Sequence, residues 1–189
     1  MNNNSIDERS NRRLILVLFI LSFILLFLSV KYSLFKLPST KSITEIKGIL
    51  KETEINKGRR GSKSLTIKLN EYPEINFMIG TIAIKQTYLQ EFMNENKSGD
   101  SIVLFIENKE YKRKILKSEK IPFPENYLYK DNIGIVEIHN KNTEYLSLNN
   151  YNKEHRDNNY LAIVFFGGFG LLMLFVGIKG VKYYNTNFR

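Results

Sequence analysis

Cysteine and tryptophan are both absent from the 189-residue chain. Without cysteine there is no disulfide, no thiolate metal site, no cysteine nucleophile and no lipoprotein anchor. Alanine occurs only twice, at Ala83 and Ala162. The short motifs of common enzymes are missing too: the zincin H-E-x-x-H, the hydrolase G-x-S-x-G, the Walker loop and the glycine-rich dinucleotide turn. These absences predict a protein that is not an enzyme, with no cofactor and no metal site.

Charge is missing from two long apolar runs, residues 14–30 and 161–178. Each run is close to the length of about 20 residues that spans the core of a bilayer. The runs exclude a simple soluble enzyme, and two of them are too few for a multi-pass transporter. Abundant Asn, Ile and Lys indicate a bacterial source with AT-rich codons. We therefore predict an inner-membrane protein with transmembrane helices at 14–35 and 159–181 and a middle domain at 36–158.

Basic residues beside the first apolar run predict the orientation. Arg12 and Arg13 directly precede that run, and long domains cross the membrane largely regardless of their charge. We therefore expect both tails, 1–13 and 182–189, in the cytoplasm and the middle domain outside it. Because the flanks of the middle domain are also basic, the reverse orientation is the alternative.

The apolar runs have no ionisable residue, but small residues recur along them. On helical spacing the glycines of the second helix fall on one face about 140° wide, and the serines of the first helix share a face as well. These residues are Gly167, Gly170, Gly177, Gly180, Ser22 and Ser29. Small residues let helix backbones approach closely, so this face either receives a partner helix or packs the chain's own two helices together. The lack of a true G-x-x-x-G spacing favours the second alternative.

The middle domain shows the alternating pattern of half-buried strands. In 64–70 the apolar residues fall on one face and the polar residues on the other, whereas 101–107 is apolar on both faces. In 86–95 the apolar spacing changes to that of a short helix. The strands we expect are 42–51, 64–70, 74–79, 101–107, 111–116, 133–139 and 143–148. The side chains we expect in the core are Leu65, Ile67, Phe77, Leu104 and Ile106.

This pattern predicts a membrane-anchored, mainly β fold between two transmembrane helices. About seven short strands and one short helix fit a small antiparallel β-barrel or sandwich. An OB-like barrel is one option, because the helix interrupts the strands midway. Two short motifs accompany the strands: I-x-G-x-L early in the domain, and G-D-x-I at a later strand start. Their residues are Ile46, Gly48 and Leu50, and Gly99, Asp100 and Ile102.

With these motifs the whole-chain architecture resembles small uncharacterised bacterial inner-membrane proteins that have two helices and an exported β-domain. The resemblance implies an exported β-domain for this chain and brings no catalytic residues with it.

The one concentrated charge feature is a basic segment at a predicted hairpin tip, in a chain of net charge +9. Its residues are Lys57, Arg59, Arg60 and Lys63, with Gly58 and Gly61 among them. Arginine clasps anions, and glycine lets backbone N–H groups approach them. The segment predicts a site for lipid phosphate, an acidic polymer or an acidic protein. The simpler alternative is a flexible, solvated tip.

Two further groups of residues are candidates for a functional site. Glu137 and His139 share one face of a predicted strand, which suits either an acid–base pair or an ordinary polar strand edge. A second basic run is diluted by acidic residues; its members are Lys109, Lys112, Arg113, Lys114, Lys117 and Lys120.

The sequence thus predicts a non-catalytic accessory or scaffold protein. Its extracytoplasmic β-domain would contact a protein partner or an anionic envelope component, including anionic lipid, and no nucleic acid. The alternative is a cytoplasm-facing, membrane-tethered domain that binds nucleic acid or another anionic ligand. An enzyme is the third option, and a deep pocket around His139 and Glu137 would favour it.

Overall fold

The computed structural model describes residues 3–140 and 143–187, without the side chains of residues 3–11, Arg60, Asn185 and Asn187. The chain divides into two compact units. One unit is formed by residues 37–156, and the other by the two ends of the chain. Each unit is described by itself below.

Two long helices, the second of them only from residue 157 onward, form the unit built from the chain ends. Helix α1 is Asn3–Ser33, and the last helix, α5, is Leu148–Asn187. Their segments Arg12–Ser33 and Leu148–Tyr184 are long and apolar enough to cross a membrane. Only 6% and 11% of their most apolar windows are buried inside the protein, whereas the core helix of a soluble protein buries most of its apolar surface. The helices are compatible with a two-pass membrane protein.

Helix α5 begins at Leu148, well before the membrane segment that we expected to start at residue 159. Polar residues at its start explain the difference. The Ser147 hydroxyl accepts a 3.1 Å hydrogen bond from the Asn150 N–H, and Glu137 Oε2 accepts one of 3.3 Å from the Leu148 N–H. Both bonds satisfy N–H groups that a first helical turn leaves unpaired.

Six strands build the other unit. They are β1 Ile43–Lys57, β2 Lys63–Leu69, β3 Asn76–Ile79, β4 Ser101–Glu107, β5 Asn132–Asn140 and β6 Thr143–Leu146. Their order is β3-β2-β1-β4-β5-β6, and a further β3–β5 pairing closes the first five strands into a barrel. The predicted β-barrel is therefore confirmed. The β3–β5 pair is parallel, so the barrel is not antiparallel throughout as predicted.

Strand β1 is long because it serves two neighbours. Its first half pairs with β4, from Ile43 opposite Glu107, and its second half pairs with β2 beyond a bulge after Leu50. Gly48 lies just before this change of partner. A Cβ atom there would be 2.8 Å from Leu69 Cδ1, so only glycine allows the strands to approach this closely.

The barrel interior follows the alternation of the sequence. Leu65, Ile67, Phe77, Leu104 and Ile106 are all fully buried, which confirms the predicted core. Helix α2, Leu89–Glu95, contributes Phe92, whose ring meets that of Tyr145 edge to face at 5.2 Å. A neighbour on the outward side of β2, Thr66, is also buried, because Asn56 lies over it and donates a 2.9 Å hydrogen bond to its hydroxyl.

The segment after β4 is helical, so the strand predicted at 111–116 is wrong. Helix α3, Asn108–Glu110, continues as a π-helix over Tyr111–Ile115. Tyr111 and Ile115 both pack against the barrel core. Residues four apart lie on one face of a helix, so this spacing was a helical signal. A further short helix, α4, follows at Glu125–Leu128.

Candidate functional site

The predicted basic tip is the turn of the β1–β2 hairpin. Lys57 lies directly opposite Lys63 as the last pair of the ladder. Between them Arg59–Gly61 forms a 3₁₀ turn, and the Gly58 N–H donates a 2.8 Å hydrogen bond to the Ser62 carbonyl. Gly61 has a φ of 77°, a left-handed conformation that glycine adopts without strain. The tip is therefore a hydrogen-bonded turn flanked by two opposed lysines.

Among the described residues, no carboxylate neutralises the described cations of this tip. Lys57, Arg59 and Lys63 are exposed, and none lies within 4.0 Å of a carboxylate oxygen in the part of the chain that the structure describes. The side chain of Arg60, the fourth predicted residue, is outside the described residues. Like charges that face each other across a ladder are destabilising. A bound anion would therefore relieve the repulsion between Lys57 and Lys63.

Beyond the Ile55–Leu65 pair, no described residue of this hairpin is buried. After Leu50 no residue of β1 is buried, and β3 pairs with β2 only from Leu65 to Ile67. Substitutions in the tip are therefore expected to leave the folding of the barrel intact.

The second basic run has a different role, because its central lysine is buried. Lys114 Nζ lies 2.6 Å from Glu110 Oε2 and 2.9 Å from Glu125 Oε1, and it donates a 2.6 Å hydrogen bond to the Asn132 carbonyl. Its side chain is only 2% exposed. Lys114 therefore connects α3, α4 and β5. Its role is structural, and its charge is not available to bind an anion at the surface.

The two carboxylates around Lys114 respond differently to burial. Burial raises the pKa of Glu110, and the hydrogen bond from Lys114 offsets this only in part. Burial also raises the pKa of Glu125, but the hydrogen bond and charge of Lys114 outweigh it, so the pKa is lowered overall. Other cations of the run are paired as well. These pairs are Lys109–Glu107, Lys112–Glu119, Arg113–Glu119 and Arg113–Glu125.

The small residues of the two long helices face each other. The Ser22 hydroxyl donates a 2.8 Å hydrogen bond to the Gly170 carbonyl, and Ser29 donates one of 3.2 Å to the Ile163 carbonyl. A Cβ atom at Gly170 would lie 2.9 Å from Leu26. The other predicted glycines meet α1 in the same way: Gly167 at Ser29, Gly177 at Phe19 and Gly180 at Ile15. In the structure the chain's own first helix occupies this face.

The predicted pair Glu137 and His139 is in contact on β5. Glu137 Oε1 lies 2.5 Å from His139 Nε2. Glu144, on β6, adds a second carboxylate 3.8 Å from the same nitrogen. Glu144 was not among the predicted site residues, although a short hairpin after His139 places the two residues opposite each other.

An exposed aromatic segment was also missed. Phe123 and Tyr127 are 85% exposed, and Tyr129 is 57% exposed, all in the connection between β4 and β5. Three exposed aromatic side chains within seven residues are a signal for a binding surface.

Comparison of the chain with protein-family models, with curated proteins and with solved structures finds no match. The proposals below rest on the residues and contacts of this chain.

Proposed function

We propose that this chain is a non-catalytic accessory or scaffold protein of the bacterial inner membrane, and that its barrel binds a negatively charged partner through the basic tip. The partner is an acidic protein surface or an anionic envelope component. One observation supports this most: Lys57 faces Lys63, with Arg59 beside them and no carboxylate near any of the three in the described structure. Both termini lie in the cytoplasm and the barrel outside it.

The tip suits a phosphate or carboxylate group. Arginine can hold either group with two parallel hydrogen bonds, and the lysines add charge from both strands. Each exposed contact contributes about 0.2–1 kcal/mol, so useful affinity requires several contacts at once. Binding should weaken as salt rises, because the screening length is already about 8 Å at physiological ionic strength.

The test uses the full chain in nanodiscs of phosphatidylcholine, mixed with vesicles that contain phosphatidylglycerol. We expect association that falls with added salt and is absent with pure phosphatidylcholine vesicles. The double variant Arg59→Ala/Arg60→Ala should lose most of this association. A control, Lys51→Ala/Lys85→Ala, removes two exposed positive charges elsewhere on the barrel and should retain it.

Equal losses in the variant and in the control would contradict a specific role of the tip. Association that does not respond to salt would contradict an anionic partner. If the vesicles do not bind but an acidic protein co-purifies in mild detergent and is lost with Arg59→Ala/Arg60→Ala, the partner is a protein and not lipid.

A second candidate function is nucleic-acid binding by a barrel on the cytoplasmic side. Five strands with a helix between β3 and β4 support an OB-like barrel, a class whose β2–β3 face and loops bind oligonucleotides. The exposed Phe123, Tyr127 and Tyr129 offer surfaces on which bases stack. On the β2–β3 face itself, the outward residues Thr66 and Met78 are not aromatic and provide no stacking surface for a base.

Membrane orientation separates the two candidates, and the absence of cysteine makes it easy to measure. A single cysteine is introduced either in the tip, by Ser62→Cys, or near the end of α5, by Thr186→Cys. Intact cells are treated with a maleimide that does not cross the inner membrane. Labelling of the tip variant alone supports an exported barrel, and labelling of the Thr186 variant alone supports the cytoplasmic alternative.

A further inference from the structure

Three side chains on the β5–β6 hairpin bring potential metal ligands together. They are Glu137, His139 and Glu144, and one ligand atom from each lies within 4.8 Å of the other two. Glu137 and His139 lie on β5, and His139 pairs directly with Glu144 on β6. Because a paired hairpin holds its side chains in fixed register, this grouping is built into the fold.

Two neighbours restrain these side chains. The second oxygen of Glu137, Oε2, accepts a hydrogen bond of 3.3 Å from the Leu148 N–H at the start of α5, while Oε1 faces His139. The Phe105 ring lies 5.6 Å from the imidazole ring. The hydrogen bond to Glu137 is an outer contact of the kind that orients a ligating carboxylate before a metal binds.

The local charge also favours a cation. In the described part of the chain, neither Glu137 nor Glu144 lies within 4.0 Å of a lysine or arginine nitrogen, and His139 is their common partner. Two carboxylates beside one imidazole form a negative site in a protein whose net charge is +9. A bound cation would compensate both carboxylates at once.

We propose that Glu137, His139 and Glu144 bind a divalent transition-metal cation of the Zn²⁺ type. Zn²⁺ bonds nitrogen and oxygen at about 2.0–2.2 Å, so ligand atoms around a tetrahedral ion are roughly 3.4 Å apart. The separations from His139 Nε2, 2.5 Å to Glu137 and 3.8 Å to Glu144, lie on either side of this value. Small side-chain rotations therefore complete the site, and a water molecule takes the fourth position.

The mixed nitrogen and oxygen ligand set favours Zn²⁺ over the common hard cations Ca²⁺ and Mg²⁺. Imidazole nitrogen suits Zn²⁺ and its neighbours, whereas Ca²⁺ and Mg²⁺ prefer oxygen ligands alone. The bound ion would connect β5 to β6, and Glu137 would connect it to the start of α5. This site is independent of the proposed function of the basic tip, and it differs from the expectation of no metal drawn from the sequence.

The test measures Zn²⁺ binding to the untagged full chain in detergent micelles by titration calorimetry, after treatment with a chelator. We expect one ion per chain. Because loss of an outer-shell contact alone weakens metal binding by 10- to 100-fold, His139→Gln and Glu144→Gln should each lose at least about tenfold in affinity. The other histidine provides the control: His155→Gln should retain the affinity. Co²⁺ in place of Zn²⁺ should give a visible absorption band that His139→Gln abolishes.

Several results would overturn this proposal. The proposal is wrong if the titration does not show one Zn²⁺ bound per chain, or if His139→Gln binds Zn²⁺ as tightly as the wild type. It is also wrong if His155→Gln loses as much affinity as His139→Gln, or if the protein binds Ca²⁺ as tightly as Zn²⁺. Glu144 is half exposed, so Glu144→Gln should keep the fold. Circular dichroism of each variant shows that a loss of affinity is not a loss of structure.

Discussion

The Ser22 hydroxyl donates a 2.8 Å hydrogen bond to the carbonyl oxygen of Gly170, 148 residues later in the chain. Ser22 is fully buried between the two helices although most apolar side chains around it are exposed. This is the arrangement expected of helices in lipid, where small residues and polar contacts, not apolar burial, hold helices together. The glycines opposite α1 make the close approach possible.

Gly170→Ala should therefore weaken the helix pair. The new Cβ atom would lie 2.9 Å from Leu26 Cγ and 3.3 Å from the Leu26 backbone nitrogen, too close without movement of the helices. Overpacking of this kind costs about 1–3 kcal/mol. The cost is measured by titrating the full chain from mild detergent into dodecyl sulfate.

Gly168→Ala is the matched control for this prediction. No atom lies within 4 Å of the Cβ position at Gly168 among the residues the structure describes. We expect this variant to unfold like the wild type or slightly later, because alanine favours a helix. The same loss at both glycines would show that α1 does not pack where the structure places it.

A second prediction concerns the barrel core. Ile67 is fully buried, so Ile67→Ala should lower the free energy of unfolding by about 2–5 kcal/mol. Lys68, the next residue, is partly exposed and pairs with Glu52 at 3.0 Å, so Lys68→Ala should cost less than about 1 kcal/mol. Thr66→Ala should fall between them, because it removes the hydrogen bond from Asn56. Chemical denaturation followed by circular dichroism ranks the three variants, and another ranking would contradict this description of β2.

A third prediction concerns the buried lysine of the β4–β5 connection. Lys114→Met would leave Glu110 and Glu125 without their shared cation, and breaking a buried ion pair in this way costs about 3–5 kcal/mol. The control is Lys109→Met, because Lys109 is 53% exposed and its pair with Glu107 is open to solvent. We expect that control to cost less than about 1 kcal/mol. Similar losses for both variants in thermal unfolding would argue against a structural role of Lys114.

A fourth prediction is a pH dependence that belongs to Glu125. Its pKa is lowered in the folded protein, so its stabilising contribution is present above its ordinary pKa of 4.5 and is lost as the pH falls through the lowered folded value. Glu125→Gln should therefore be less stable than the wild type at pH 7, and this difference should shrink below about pH 4.5. The neighbouring Glu110, whose pKa is raised, contributes with the opposite sign.

Thermal unfolding midpoints of the wild type and Glu125→Gln, measured from pH 7 to pH 3, test this prediction. Glu54→Gln is the control for the loss of one carboxylate, because Glu54 is exposed on β1, and its midpoint at pH 7 should stay close to that of the wild type. A gap for Glu125→Gln that stays constant across the range would contradict the lowered pKa.

Local periodicity in the sequence was sufficient to predict the two long helices and part of the barrel core. The two apolar runs predicted the two long helices, and the alternation in 64–70 predicted that Leu65 and Ile67 face the barrel interior. Both signals are local, because each element records in its own spacing the face that it buries. The position of the basic tip at the end of a hairpin could be predicted for the same reason, because all its residues lie within one local turn.

Only the tertiary structure decided the relations between distant residues. The parallel pairing of β3 with β5, the ion pair between Lys114 and Glu125, and the contact of Ser22 with Gly170 all join segments that no local pattern connects. From the sequence alone, a run of lysines predicts a basic surface. The fold shows that Lys114 is paired with Glu125 from another helix. The physical reason is that a charge or a strand edge acquires its role from the partner that folding brings to it, and sequence spacing does not contain that partner.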